Sequence, residues 1–308
     1  MKQLKIFMML FAGICLSISC KKELSVDSLN SFKVYLDSNE FKVGDPVVFK
    51  FEGEADYISI YTGEVGRDYE FWQGREVEVG NIKLSFNSSS ASGAQQNQFS
   101  ILISNDFDGD YSDLENIKTY TWTDISSRFT LGNTATLAPS GVVNLSEFKV
   151  PEKPIYIAYK YISKPQIVNG LGKTWTVTGF SLSGETSVGD RGIADMYNSG
   201  FRIIDPHKDY APAQSGITTT RFTFLSNEYS DELDPETEHW AISKAIHTDT
   251  LNLGKDKPVI VKGFATSGVK QYRHSYSKSG IYTVYVVAFN QNVYDNKQHI
   301  SKLEIKVE

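Results

Sequence analysis

The chain has 308 residues, 40% of them hydrophobic and 22% charged, with a formal net charge of −6. That length and balance suit two globular domains, and the acidic excess argues against a nucleic-acid partner, which would require a basic face. Both cysteines, Cys15 and Cys20, lie at the extreme N-terminal end, so the rest of the chain has no disulfide framework and no cysteine metal site.

Lys2 and Lys5 precede an apolar run, Ile6 to Ile18, that is short for a permanent membrane helix. Leu16-Ser17-Ile18-Ser19-Cys20 then places small residues before a cysteine, followed by Lys21. This pattern resembles a bacterial lipoprotein signal. It implies that residues 1–19 are removed, that Cys20 carries the lipid, and that polar residues 20–30 form a tether. A residue other than Asp after the cysteine resembles lipoproteins sorted to the outer membrane of a Gram-negative cell. The expected location is the cell surface, with the N-terminal lipid as the only membrane contact.

Next come alternating segments. Phe32 to Leu36 reads as a strand, and so does Val47 to Glu52, with Val47, Phe49 and Phe51 on one face. Tyr57 to Tyr61 is another strand, ended by the glycine turn Thr62-Gly63-Glu64-Val65-Gly66. Tyr272 to Asn290 reads as two strands joined by a Ser-Gly turn. Val43-Gly44-Asp45-Pro46-Val47-Val48-Phe49 is similar to the opening strand of a PKD-type, immunoglobulin-like domain. That family's closing His-x-Tyr, glycine turn and Tyr-x-Val strand occur only at His274, Tyr276, Gly280, Tyr282 and Val284. The resemblance implies one sandwich split into residues 31–80 and 254–308, with Val284, Val286 and Ala288, or else Tyr285, Val287 and Phe289, packed on Val47, Phe49 and Phe51.

Between these halves, short strand patterns recur at Ile82–Phe86, Phe99–Ser104, Tyr120–Ile125, Ile155–Tyr161 and Thr174–Leu182. Asn87 to Gln98 reads as a Ser/Asn/Gly/Gln loop, and Asp190 to Ala213 as a long loop. No long amphipathic helix is predicted. The order of these pieces resembles the cleaved-adhesin, choice-of-anchor type of galactose-binding-like jelly roll, with its opening Trp-x-Ile-Ser strand moved to the end at Trp240 to Ser243. The expected fold is therefore all-β: an immunoglobulin/PKD-like β-sandwich interrupted over residues 81–253 by a circularly permuted jelly-roll β-sandwich. The whole arrangement resembles the surface-lipoprotein family DUF5017. That resemblance implies an association with outer-membrane glycan uptake.

Asp106, Asp108 and Asp110 alternate around Gly109 and present hard carboxylate oxygens of the kind calcium prefers, although solvated acidic turns look the same. Calcium is the one candidate cofactor. A sugar site needs exposed flat aromatics beside amides and carboxylates. Trp122, Trp175 and Trp240 lie in strand patterns and are expected to pack inside. Tyr69 and Trp72, in a charged glycine-bounded segment, and Tyr197 and Tyr210, in the long loop, are the candidate ligand contacts. The five histidines form no metalloprotease motif, and no serine-nucleophile or phosphate-loop motif is present. No catalytic residue is assigned. The expected activity is binding of a glycan or a surface protein ligand. A structural subunit making only protein contacts is the alternative, and a glycoside hydrolase with an unsigned carboxylate pair is the third reading.

Overall fold

The computed structural model describes residues 25–209, 215–227 and 231–308. Cys20 and Tyr210 lie outside them. Strands β1 (Lys33–Tyr35), β2 (Glu40–Phe41), β3 (Pro46–Glu52) and β4 (Tyr57–Tyr61) come first, followed by a 3-10 turn at Tyr69–Phe71. Then come β5 (Arg75–Ala91), β6 (Phe99–Ser104), a single helical turn α1 (Leu114–Ile117), β7 (Thr123–Asp124), β8 (Ala138–Pro139) and β9 (Val143–Asn144). After β10 (Tyr156–Ser163) and α2 (Gln166–Asn169) run β11 (Thr174–Thr186), β12 (Arg191–Asp195), β13 (Arg202–Ile204), β14 (Gly216–Ile217), β15 (Arg221–Phe224) and β16 (Thr237–Ile242). The last strands are β17 (Thr250–Gly254), β18 (Val259–Lys262), β19 (Gln271–Ser275), β20 (Gly280–Gln291) and β21 (Asn296–Val307). The protein is all-β. It divides into two compact units, one ending at Arg75 and resuming at Gly254, the other spanning Glu76–Leu253.

In the first unit, β1-β3-β19 make one sheet and β18-β4-β20-β21-β2 the other. Alternation along each strand turns Val47, Phe49 and Phe51 of β3 inward, and likewise Ile58 and Ile60 of β4. They share one buried cluster with Val284, Val286 and Ala288 of β20 and with Ile305 and Val307 of β21. The set Tyr285, Val287 and Phe289 takes the opposite face of β20, as a two-residue period requires. The sequence pattern over Tyr272–Asn290 suggests one hairpin, but its two strands belong to different sheets: β19 pairs with β3, and β20 pairs with β4 and β21. The intervening turn is an arch between sheets. The sequence could not distinguish the two because a Ser-Gly turn suits either connection.

The closing strands grip the glycine turn after β4. His274 Nε2 lies 2.8 Å from Glu64 Oε2, and the Tyr276 hydroxyl donates to the Thr62 carbonyl at 2.9 Å. Burial raises the Tyr276 phenol well above its ordinary pKa, with the nearby Glu64 carboxylate adding to the effect. Gly63 is required here. Its φ is +80°, and a Cβ would stand 2.7 Å from the Thr283 carbonyl oxygen.

In the second unit the sheets are β13-β16-β10-β6-β7 and β14-β15-β11-β5-β17. β12 pairs with β11, while β8 and β9 pair with β5. The inner faces of the two sheets form the main core, including Ile82, Leu84, Phe86, Ile101, Ile103, Ile157, Tyr159, Val177 and Leu182. The outer face of the β6-β10-β16 sheet is also covered. Leu102, Tyr156, Ala158, Trp240 and Ile242 pack against Phe107, Leu114 and Ile117 of the 105–122 segment. Trp175 and Trp240 are buried, and Trp122 is partly buried on that outer cluster.

Two loop expectations need correction. Asn87 to Ala91 is strand, not loop: β5 continues through it, paired with β11. Ser88, Ser89 and Ser90 are buried there, under the chain that passes over β5 at Gly132. A Cβ on Gly132 would come within 2.1 Å of the Ser88 carbonyl oxygen, and the Gly132 amide donates to Ser88 Oγ. The 190–213 stretch contains β12 and β13, whose short apolar patterns are hidden between turns.

Candidate functional site

The outward face of the β18-β4-β20-β21 sheet carries three rows fixed by strand register. Tyr61 pairs with Tyr285, and Tyr285 with Lys302; Ile260 pairs with Ser59, Ser59 with Val287, and Val287 with Ile300; Tyr57 pairs with Phe289, and Phe289 with Gln298. Paired residues share a face, so each row lies side by side across the sheet. Tyr57 and Phe289 stack at 4.5 Å with 7° between their planes. Phe264, which is 71% exposed, lies 6.4 Å from Tyr57.

The 3-10 turn adds a second layer over the first row. Tyr69 stacks on Tyr285 at 4.6 Å and meets Tyr61 edge-on at 5.2 Å. Trp72 runs near-parallel to Tyr69 at 6.5 Å and is 47% exposed. Asp68 caps the turn by accepting from the Glu70 amide at 3.0 Å. Below it, the guanidinium of buried Arg75 lies 3.6 Å from the Phe71 ring centroid and binds both carboxylate oxygens of Asp256, at 3.1 and 2.7 Å. Asp256 also accepts from the Asp68 amide at 3.0 Å. This clasp joins the last residues before the second unit to the first residues after it, and it holds Tyr69 and Trp72 in place.

Polar groups edge the aromatics. The Tyr285 hydroxyl donates to Glu70 Oε1 at 2.6 Å, and Lys302 Nζ lies 5.5 Å from the Tyr285 ring centroid. The bond to Glu70 raises the Tyr285 phenol above its ordinary pKa; Tyr61 is also raised, by burial first and then by Tyr69 and Asp256. Both phenols therefore remain neutral hydrogen-bonding groups near pH 7. Stacked rings with a carboxylate, an ammonium and hydroxyls at their rim can hold the C–H face of a sugar while bonding its hydroxyls.

Of the sequence candidates, Tyr69 and Trp72 come together here. Tyr197 is 78% exposed in the second unit, on a turn where its amide donates to Asp195 Oδ1. The sequence reading missed Tyr61 and Tyr285. The signal was present in the outward alternation of Tyr57-Ser59-Tyr61 against Tyr285-Val287-Phe289, but only pairing of β4 with β20 makes it one surface.

The three aspartates occupy local turns. Asp106 accepts from the Thr121 amide and Ser104 Oγ, Asp108 from the Asp110 amide, and Asp110 from the Ser112 amide. Among the described residues, no three His, Cys, Asp or Glu side chains converge as a metal-holding group. Elsewhere in the second unit, a cleft of about 420 Å³ is lined by Tyr111, Asp113, Asp205 and Lys208, among others. Asp205 Oδ2 lies 3.1 Å from Nδ1 of buried His239. Burial alone would raise the Asp205 carboxyl, but the bond to His239 and the His207 amide together hold it below its ordinary pKa. Asp205→Asn is expected to cost about 1–3 kcal/mol by weakening this buried pair, and thermal melts of the two proteins would measure it.

The family described as "Domain of unknown function (DUF5017)" matches residues 19–201. That span includes Tyr61, Tyr69 and Trp72 but stops before β20, which supplies Tyr285. No curated protein and no solved structure matches the chain. With more than half its length matched, the chain belongs to the DUF5017 family.

Proposed function

We propose that this is a non-enzymatic glycan-binding protein of the outer cell surface, lipid-anchored through Cys20 in the outer membrane and serving glycan uptake. We further read the first unit as a PKD/immunoglobulin-like sandwich and the second as a permuted jelly roll inserted into it. The observation that supports binding is the layered stack of Tyr61, Tyr285, Tyr69 and half-exposed Trp72, edged by Glu70 and Lys302. Packing alone would favour covering the Trp72 ring as the three tyrosines partly cover one another. A rigid, capped turn that leaves Trp72 in water suits a ligand arriving from solution.

Purified residues 21–308 screened on a glycan array give the direct test. Binding is expected, and Tyr69→Ala or Trp72→Ala is expected to weaken it by about tenfold or more, from loss of roughly 1.4 kcal/mol of ring contact. An array without any binding would remove the glycan reading. The anchor has its own test. Cells fed a labelled fatty acid should label the wild-type protein but not Cys20→Ala, and an unlabelled wild type would refute lipidation.

A further inference from the structure

The platform is longer than the stack that defines it. Tyr285 and Phe289 are four residues apart on one strand and face the same side, which separates their rows by about 13 Å. The far row is a second aromatic cluster, made of Tyr57, Phe289 and Phe264. Between the rows lies a low apolar saddle, where Ser59 and Val287 are buried and flanked by Ile260, 70% exposed, and Ile300, 41% exposed. Two aromatic clusters joined by an apolar strip thus run along one sheet face.

We infer that this strip binds an extended, uncharged oligosaccharide along β20, with one part of the chain on the Trp72–Tyr69–Tyr285 stack and another on the Tyr57–Phe289–Phe264 cluster. The inference rests on the glycan-binding reading and adds chain length and charge to it. The row separation exceeds a single sugar ring and fits a short run of linked sugars. An isolated monosaccharide would fill one cluster and leave Phe264 and Ile260 in water. One carboxylate and one ammonium edge the near cluster, with Glu70 bonded to the Tyr285 hydroxyl and Lys302 near its ring. A sulfated or uronic-acid chain would meet the Glu70 carboxylate, whereas neutral hydroxyls can accept from Lys302 and donate to Glu70. Beyond the 3-10 turn the sheet face is open, and an open face selects a chain lying flat, because it cannot enclose a terminal sugar.

The test is affinity against chain length. Purified protein is titrated calorimetrically with malto-, cello- and manno-oligosaccharides from two to six sugars, together with a sulfated hexasaccharide. For the series that binds, affinity is expected to rise at least about tenfold from disaccharide to hexasaccharide, and the sulfated chain should bind more weakly. Phe264→Ser and Ile260→Ser alter exposed side chains and should leave the denaturation curve unchanged. Each should remove most of the length dependence, bringing hexasaccharide affinity down toward that of the disaccharide. Equal affinity for short and long chains would overturn the inference while leaving glycan binding intact. Absence of binding by every chain would overturn both. Sedimentation gives a separate check. A dimer abolished by Phe264→Ser would mean that the strip is covered by a second copy, and would also overturn the inference.

Discussion

Asp256→Ala is expected to destabilise the first unit by about 3–5 kcal/mol, the usual cost of stranding one member of a buried ion pair. The Arg75 guanidinium loses both bonds to Asp256, and its nearest remaining carboxylate oxygen, on Asp68, is 3.7 Å away. The Asp68 amide loses its acceptor as well. Urea denaturation of wild type and variant would measure the difference, and a loss below about 1 kcal/mol would show that Asp68 substitutes for Asp256. The same pair predicts a pH signature. Burial alone would raise the Asp256 carboxyl, but the bond from Arg75, the amides of Asp68 and Gly66, and the Arg75 charge together lower it. A depressed folded-state pKa contributes stability that is complete above the unfolded carboxylate value, about 3.9, and is lost as pH falls through the lower folded value. The wild type should therefore lose its advantage over Asp256→Asn only below about pH 4. Because Arg75 holds the turn that carries Tyr69 and Trp72, Asp256→Ala should also weaken ligand binding.

Gln98→Ala should cost the second unit about 4 kcal/mol, far more than an ordinary polar truncation. Gln98 is buried, and the two N–H bonds of its side-chain amide are shared among Gln95 Oε1, the Tyr161 hydroxyl and the Ile162 carbonyl, all within 3.1 Å of Nε2. Its carbonyl oxygen accepts from the Lys173 amide at 2.8 Å. Truncation strands several of these groups together, each at about 1–3 kcal/mol, offset where neighbours re-pair. Gln95 bonds the Lys164 and Gly170 carbonyls, so the network holds the 164–173 arch as well as the strand ends. Amide hydrogen exchange should show Lys173 losing protection first. Unchanged protection there would mean that water replaces the side chain.

Strand period and turn chemistry made much of this fold readable. Val47, Phe49 and Phe51 announce their inward face, and Gly63 announces its turn, because both signals are local. The serines of β5 and the arch between β19 and β20 were not readable. Ser88 is strand because it pairs with Val177 of β11, with Gly132 close over it, and β19 pairs with β3 while β20 joins the other sheet. Half of the candidate site was legible for the same reason. Tyr69 and Trp72 sit in a short, polar, glycine-bounded segment, whereas Tyr285 becomes their neighbour through a pairing more than two hundred residues long.

The split between β4 and β19 also dictates an order of events during synthesis. Residues 33–75 leave the ribosome with β1 and β3 able to pair but with β18 to β21, the other partners of β3 and β4, still untranslated, and the Tyr276 hydroxyl that bonds Thr62 lies 214 positions downstream. Until β19 and β20 appear, β3 and β4 have open edges and bare apolar faces, the state in which chains join to the wrong neighbour. The second unit has all its strands in one continuous stretch and can close during that delay. A nascent chain stopped between Gly254 and Gly280 would therefore carry a folded middle and an adhesive, unfinished beginning. A chaperone that shields early strands would act on residues 33–61 for as long as the tail is being made.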